Sequence, residues 1–296
     1  MTLLVGYPVK LRADDVMHLA VTLARSTGED LVVAVITPAP WMPGMSRADQ
    51  GYRAYIDELV SDAHAAARAY VPADISARYV SAAARSVPAG LMDAAAAVGA
   101  DAIVVGSSDD GRPGEVALSS VADRLLHSAQ VPVAVATRGY PADIAGITRV
   151  TCAFTGGAQN LVLLAFARAL ASRYGCPLRL VSFAVHLSPP EVARFNTESG
   201  QVLAEWTENI YAAAHRALGD HPDETPQIVI ARGEQWAEAF GTVDWEAGEL
   251  LVVGSSEAGP IERVFLGSRA TKIVRHSPVP VLVVPRAATD NPANLH

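Results

Sequence analysis

The residues best placed to do chemistry in this chain are small ones. Gly254-Ser255-Ser256-Glu257, followed by Gly259-Pro260 and then Gly267-Ser268, lie between an apolar run and a helix-forming segment. Glycine has no Cβ, so its backbone can approach a phosphate closely. A helix start offers free N–H groups and the positive end of its dipole to an anion. Phosphate binding is the chemistry this pattern indicates. Gly106, Asp109, Ser119 and Ser120 stand in the corresponding place earlier in the chain and keep less of the glycine pattern. The same residues would also serve simply as a turn and a helix cap.

Other constellations carry less. Thr155-Gly156-Gly157-Ala158-Gln159-Asn160 is similar to the SGGxDS phosphate loop of ATP pyrophosphatases but lacks its Asp-Ser end. The eight histidines contain no HExxH and no i, i+4 pair, so no metal site is expected. His127 and His276 fall at the ends of corresponding helical segments, where an imidazole can cap carbonyls. Cys152 lies in an apolar run with nothing nearby to lower its pKa. Trp206, Trp236 and Trp245 read as residues of packing or of an interface. Trp41, with Met42 and Met45, could cover a crevice in the first half or merely its core. No Ser/His/Asp set is spaced for nucleophilic catalysis.

The elements that must position these residues occur twice. Ala102–Ser108 reads AIVVGSS and Leu250–Ser256 reads LLVVGSS. Val131-Pro132-Val133 matches Val279-Pro280-Val281, and Leu118-Ser119-Ser120 matches Leu266-Gly267-Ser268, all at one offset of 148 residues. A period that long means duplicated domains. In the first half, apolar strands are expected at Thr2–Gly6, Leu31–Ile36, Ile75–Val80, Ala102–Val105 and Val131–Ala136. Helices are expected at Asp14–Arg25, Tyr52–Tyr70, Ala89–Val98 and Ser120–His127. The second half repeats the order, with strands at Arg149–Ala153, Leu178–Phe183, Gln227–Ala231, Leu250–Val253 and Val279–Val284. Its helices fall near Gln159–Tyr174, Glu191–Leu218, Gln235–Val243 and Ser268–His276. Alternating strands and helices with continuously apolar strands give an α/β fold, two tandem doubly wound, Rossmann-like domains; the strand order expected for each is 3-2-1-4-5. Each would have its own five-stranded, mainly parallel sheet. Ligands bind such sheets beyond the carboxyl ends of the first and fourth strands. Tyr140–Gly146 reads as the linker.

Bulk properties narrow the class. A formal charge of −8 with no Lys/Arg cluster argues against a nucleic-acid partner. No apolar run approaches the roughly 18 residues needed to span a bilayer. Two cysteines cannot make a disulfide framework, and no secretory leader pattern is visible, so a cytoplasmic protein is expected.

Universal stress protein domains that bind ATP carry G-x2-G-x9-G-[S/T] after the fourth strand and an Asp at the end of the first strand for adenine. Gly254, Gly267 and Ser268 match the first, third and fourth positions of that motif at its spacing. His276-Ser-Pro-Val-Pro-Val is similar to the family's approach to its fifth strand. The chain thus resembles this family in both halves, over almost its whole length. The resemblance implies domains at 1–140 and 147–286 with a polar tail at 287–296. It implies a stress-associated binding or regulatory protein rather than an enzyme. The ligand would be an adenine nucleotide, ATP or AMP with Mg2+, held by Thr155, Gly156, Gly157, Gly254, Glu257, Gly267 and Ser268, or in the first half by Gly106 and Ser120. It further implies that the last strands pair within the chain, an internal dimer, and it allows a homodimer of whole chains.

The motif is altered in ways that bear on the ligand. Glu257 stands where the second glycine belongs, and Asp109 takes that place in the first half. Pro8 and Thr155 stand at the adenine aspartate positions. A carboxylate about 4 Å from a phosphate charge costs roughly 1 kcal/mol in water and about 4 at an effective dielectric near 20. Proline offers no side-chain hydrogen bond, whereas threonine does. A Mg2+ ion bridging Glu257 and phosphate would reverse the sign of that effect. The crevice therefore reads as a degenerate nucleotide site, better kept in the second half. Two alternatives stay open: a nucleotide-hydrolysing or -transferring enzyme on the same fold, and an interaction module that binds no nucleotide.

Overall fold

Apolar runs too short for helices and flanked by turn residues become the strands of a single sheet. The computed structural model describes residues 2–9, 13–39, 47–156, 158–185, 205, 207–216, 226–255 and 268–289. The first half runs β1 (Thr2–Gly6), α1 (Asp14–Thr27), β2 (Asp30–Pro38), α2 (Arg47–Arg68), β3 (Ala77–Ala84), α3 (Val87–Val98), β4 (Ala102–Val105), α4 (Ser120–Leu126) and β5 (Val133–Val135). The second runs β6 (Arg149–Ala153), α5 (Ala158–Tyr174), β7 (Leu178–Val185), a helix α6 over 207–216, β8 (Gln227–Gly233), α7 (Trp236–Gly241), β9 (Glu249–Gly254), α8 (Ser268–His276) and β10 (Val281–Val284). The part of the expected Glu191–Leu218 helix beyond 207–216 falls almost wholly outside the described residues.

Local sequence explains the element ends. Helix α1 has no side-chain cap at Ala13 but carries Asp14 and Asp15 in its first turn, which complement the dipole. It stops at Gly28, whose φ of 70° is cheap only for glycine. Ser86 caps α3 by accepting the Ala89 N–H. Pro132 and Pro280 sit just before β5 and β10 rather than in them. Their carbonyls still accept from Ile103 and Leu251, at 2.9 Å each, while their missing N–H groups are not needed by a ladder.

The strand order is β3-β2-β1-β4-β5-β10-β9-β6-β7-β8. Each half is thus a parallel 3-2-1-4-5 sheet, as read from the sequence. Two separate five-stranded sheets are not what forms. β5 and β10 pair antiparallel, with Val135 opposite Val281, Ala134 opposite Leu282 and Val133 opposite Val283, and this joins the halves into one ten-stranded sheet. At the 148-residue offset Ala134 is the equivalent of Leu282, so the same surface of each half meets its own copy.

Alternate strand residues divide between two cores. Leu3, Val5, Val33 and Val150 face α1, α5 and α6 on one side. Leu4, Val32, Leu251 and Val253 face α3, α4, α7 and α8 on the other. Both cores cross the seam between halves, and α1 packs on α5. The linker is held down as well: His18 Nδ1–H donates to the Tyr140 carbonyl at 2.9 Å, and Ser26 Oγ accepts the Ile147 N–H at 2.7 Å. Of the expected tail, 287–289 are described: with Arg286 they form a helical turn, α9 (Arg286–Thr289), whose Ala288 is buried in the first core. Burying that methyl is more favourable than leaving the turn in water.

Candidate functional site

Two crevices open at the carboxyl ends of the strands, one per half, where the 3-2-1-4-5 order reverses. In the second half, Phe154 and Thr155 follow β6, Gly254 and Ser255 close β9, and Arg269 and Ala270 come from the first turn of α8. The described residues enclose about 190 Å3 there. Thr155 Oγ1 accepts from Asn160 Nδ2 at 2.8 Å, which fixes the hydroxyl at the crevice mouth. Ser255 Oγ is already engaged, accepting the Arg286 N–H at 3.1 Å. Gly254 owes its identity partly to packing, because a Cβ would come within 3.3 Å of the Leu163 side chain. Gly156 turns the chain at φ 81°, and a Cβ there would press on Ile210 at 3.2 Å. Its conformation alone demands glycine.

Of the residues singled out from the sequence, Thr155 and Gly254 therefore share one crevice, and Ser268 starts α8 beside the lining residue Arg269. Gly156 shapes the turn without lining the crevice. Gly157, Glu257 and Gly267 lie outside the described residues, as do Trp41, Met42, Met45 and Trp206. Gly106 and Ser120 line the first-half crevice with Pro8 and Ser119. That crevice encloses about 780 Å3, walled by α2 through Tyr52, Tyr55, Ile56 and Leu59. Residues 186–204, the second-half counterpart of the stretch leading into α2, lie outside the described residues.

Sequence reasoning passed over Arg269. The position 148 residues earlier is Val121, so only the second crevice has a guanidinium there. Comparing the halves residue by residue would have exposed it. It also passed over Asp15, which lines the first crevice. Burial pushes the Asp15 carboxyl above its usual range, opposed by the Gly139 N–H that it accepts at 2.9 Å.

A second omission lies at the opposite end of the sheet. Arg179, 2% exposed, donates to Thr151 Oγ1 at 3.0 Å, to the Asp244 carbonyl at 2.8 Å, and to Glu249, which is fully buried. Arg149 donates to the other Glu249 oxygen at 2.8 Å, and the Arg179 guanidinium lies 5.0 Å from the centre of the Trp245 ring. Burial lowers the Arg179 pKa against the pull of Glu249. At the positions of Thr151 and Arg179 the first half has Leu4 and Val32, plain core residues, while Glu249 corresponds to Asp101, which accepts the Thr2 N–H at 2.7 Å.

The remaining polar candidates are structural. His127 Nδ1–H donates to the Asp123 carbonyl at 2.6 Å and His276 Nδ1–H to the Lys272 carbonyl at 2.9 Å, both helix-end caps. Trp236 packs on Phe183, and Trp245 stacks on Phe240. Burial pushes the Cys152 thiol up to about 12. Among the described residues no three His, Cys, Asp or Glu side chains are grouped to hold a metal, and no helix is long and apolar enough to cross a membrane.

Two parallel, doubly wound units, fused edge to edge and each with a crevice at its switch point, define a tandem α/β protein. The sequence profile of the Universal stress protein family matches residues 1–137 and again 146–285. Universal stress protein Rv2319c of Mycobacterium tuberculosis (strain ATCC 25618 / H37Rv) is 37% identical over 293 residues, covering 96% of this chain and 100% of that protein. Universal stress protein Mb2346c of Mycobacterium bovis has the same identity and coverage. The crystal structure of a universal stress protein from Archaeoglobus fulgidus aligns with a TM-score of 0.60 at 16% identity, covering 96% of this chain and 98% of that one. The chain belongs to the universal stress protein family.

Proposed function

We propose that this chain is a cytoplasmic, stress-associated binding and regulatory protein that holds an adenine nucleotide in its second-half crevice, within a domain spanning 147–286. The observation that carries the reading is the meeting of Thr155, Gly254 and Arg269 at the ends of β6 and β9. Arg269 would hold phosphate, Thr155 would hydrogen-bond base or ribose, and the first turn of α8 adds its N–H groups. The described polar lining side chains, Thr155, Asn160, Ser255 and Arg269, are groups that bind and orient rather than move protons. This supports binding over turnover. Glu257 and Gly267 complete the proposed site, with Mg2+ as a bridge where Glu257 faces phosphate.

The test is direct. Denaturing the purified protein and examining the supernatant by absorbance and mass should reveal adenine nucleotide, and ATP should bind on titration with no appreciable hydrolysis. Arg269→Ala should weaken ATP roughly tenfold while leaving adenosine unchanged, since about 1–2 kcal/mol of phosphate attraction is lost. Glu257→Gly should tighten ATP if that carboxylate repels phosphate, and weaken it only with magnesium if it holds the ion. ATP that neither co-purifies nor binds at millimolar concentration would remove the reading. Turnover near 1 s−1 or faster would replace it with an enzyme.

A further inference from the structure

The two crevices descend from one plan, and their described lining residues differ in charge. In the first half the loop after β4 has closed on itself. Ser108 N–H donates to the Ala117 carbonyl at 2.7 Å, and Ala117 N–H donates to Ser107 Oγ at 3.0 Å. Gly114 N–H donates to the Arg138 carbonyl at 2.7 Å, and Val116 N–H to the Ser277 carbonyl of the other half at 3.2 Å. Ser119 Oγ accepts the Ala122 N–H at 3.1 Å. These five N–H groups of the loop and helix start are thus committed to protein acceptors.

The lining carries the opposite sign to what a phosphate needs. Asp15, Asp109 and Asp110 border the cavity, whereas Val121 and Ala13 stand where the second half has Arg269 and Asn160. Among the described lining residues none is cationic. Lys10 and Arg12 lie outside them. The floor is apolar, from Ile36 and Leu91, and Tyr52 and Tyr55 are each 48% exposed at the wall. About 780 Å3 is ample for a small organic molecule. Aromatic faces beside carboxylates attract a cation by its charge and by the ring quadrupole together.

We propose that the first-half crevice binds an aromatic amine: a flat, apolar ligand with one protonated nitrogen and no phosphate. Its ring lies against Tyr52 and Tyr55, and its ammonium group faces Asp109 and Asp110. This site is separate from the nucleotide reading of the second half.

Three probes sharing an indole ring isolate the charge: tryptamine, 3-methylindole and indole-3-acetate, titrated into the full chain by calorimetry. Tryptamine should bind roughly tenfold tighter than 3-methylindole, and indole-3-acetate weakest of all. The exposed pair Asp109→Asn with Asp110→Asn should bring tryptamine down to the level of 3-methylindole without moving the latter. Tyr52→Ala with Tyr55→Ala should weaken tryptamine and 3-methylindole together. ATP should leave tryptamine binding unchanged. Indole-3-acetate binding as tightly as tryptamine, displacement of tryptamine by ATP, tryptamine affinity unmoved by both double variants, or no binding of any probe at millimolar concentration would each overturn the proposal.

Discussion

Replacing Glu249 with alanine tests the buried network that distinguishes the second half from the first. Glu249 accepts from Arg179, Thr151, Arg149 and its own turn's Glu246 N–H. Removing it leaves Arg149 with Glu246, but Arg179 keeps only two neutral acceptors while 2% exposed. A charge left unpaired in a core costs about 3–5 kcal/mol, more than the pair's own net contribution, since most of it is the lost hydration of the survivor. For 296 residues melting together, with roughly 2.1 cal/mol/K of unfolding entropy per residue, that is a fall in Tm of about 5–8 °C. If the second half melts alone the fall should be about twice as large, so calorimetry also reports whether the fused sheet unfolds as a unit. The double variant Arg179→Met with Glu249→Leu should recover most of the loss, because a packed apolar pair needs no compensation. A loss below 1 kcal/mol for Glu249→Ala, or a double variant as unstable as the single, would refute the reasoning.

Three further outcomes follow from the same structure. Leu282→Pro at the β5–β10 seam should remove a ladder donor and clash with the partner strand, costing about 3 kcal/mol or more, and hydrogen exchange should speed up in both strands, not in β10 alone. Asp15 has its pKa raised by burial, so the stability it contributes is complete below the ordinary value of 3.8 and is lost as pH rises through the higher folded value. Asp15→Asn keeps an acceptor for Gly139 and should therefore gain on the wild type as pH is raised across that window, measured by urea unfolding at stepped pH. Cys152, buried with its thiol pushed up to about 12, should resist a thiol reagent at pH 8 until the protein unfolds.

What the sequence made legible is what depends on local pattern. Continuous apolar runs such as Leu31–Ile36, short and bounded by turn residues, read as strands buried on both faces, and two copies in one register mean two like domains. The glycine at the end of β9 is visible for the same reason. What escaped depends on residues distant in sequence. The closing of the β4–α4 loop needs Ser277 from the other half, and the Tyr52 wall needs α2 laid against β2. Arg179 did leave a trace, a lone charge inside the apolar run LRLVSFAV, but its partner Glu249 lies 70 residues away. The turn Arg286–Thr289 left no such trace, because alanine and arginine say little until a core offers Ala288 a place.

The pairing of β5 with β10 carries a consequence for how such a chain behaves at different concentrations. A solitary half would present one unsatisfied strand, able to grip a single copy of itself and then be saturated: a coupling of valence one. Joining two halves by a short linker supplies that copy at an effective concentration on the order of millimolar, whatever the dilution of the protein. The association that single halves would have to reach by accumulating is completed here during folding. The outer strands β3 and β8, the ends of the sheet among the described residues, then decide whether anything more is recruited.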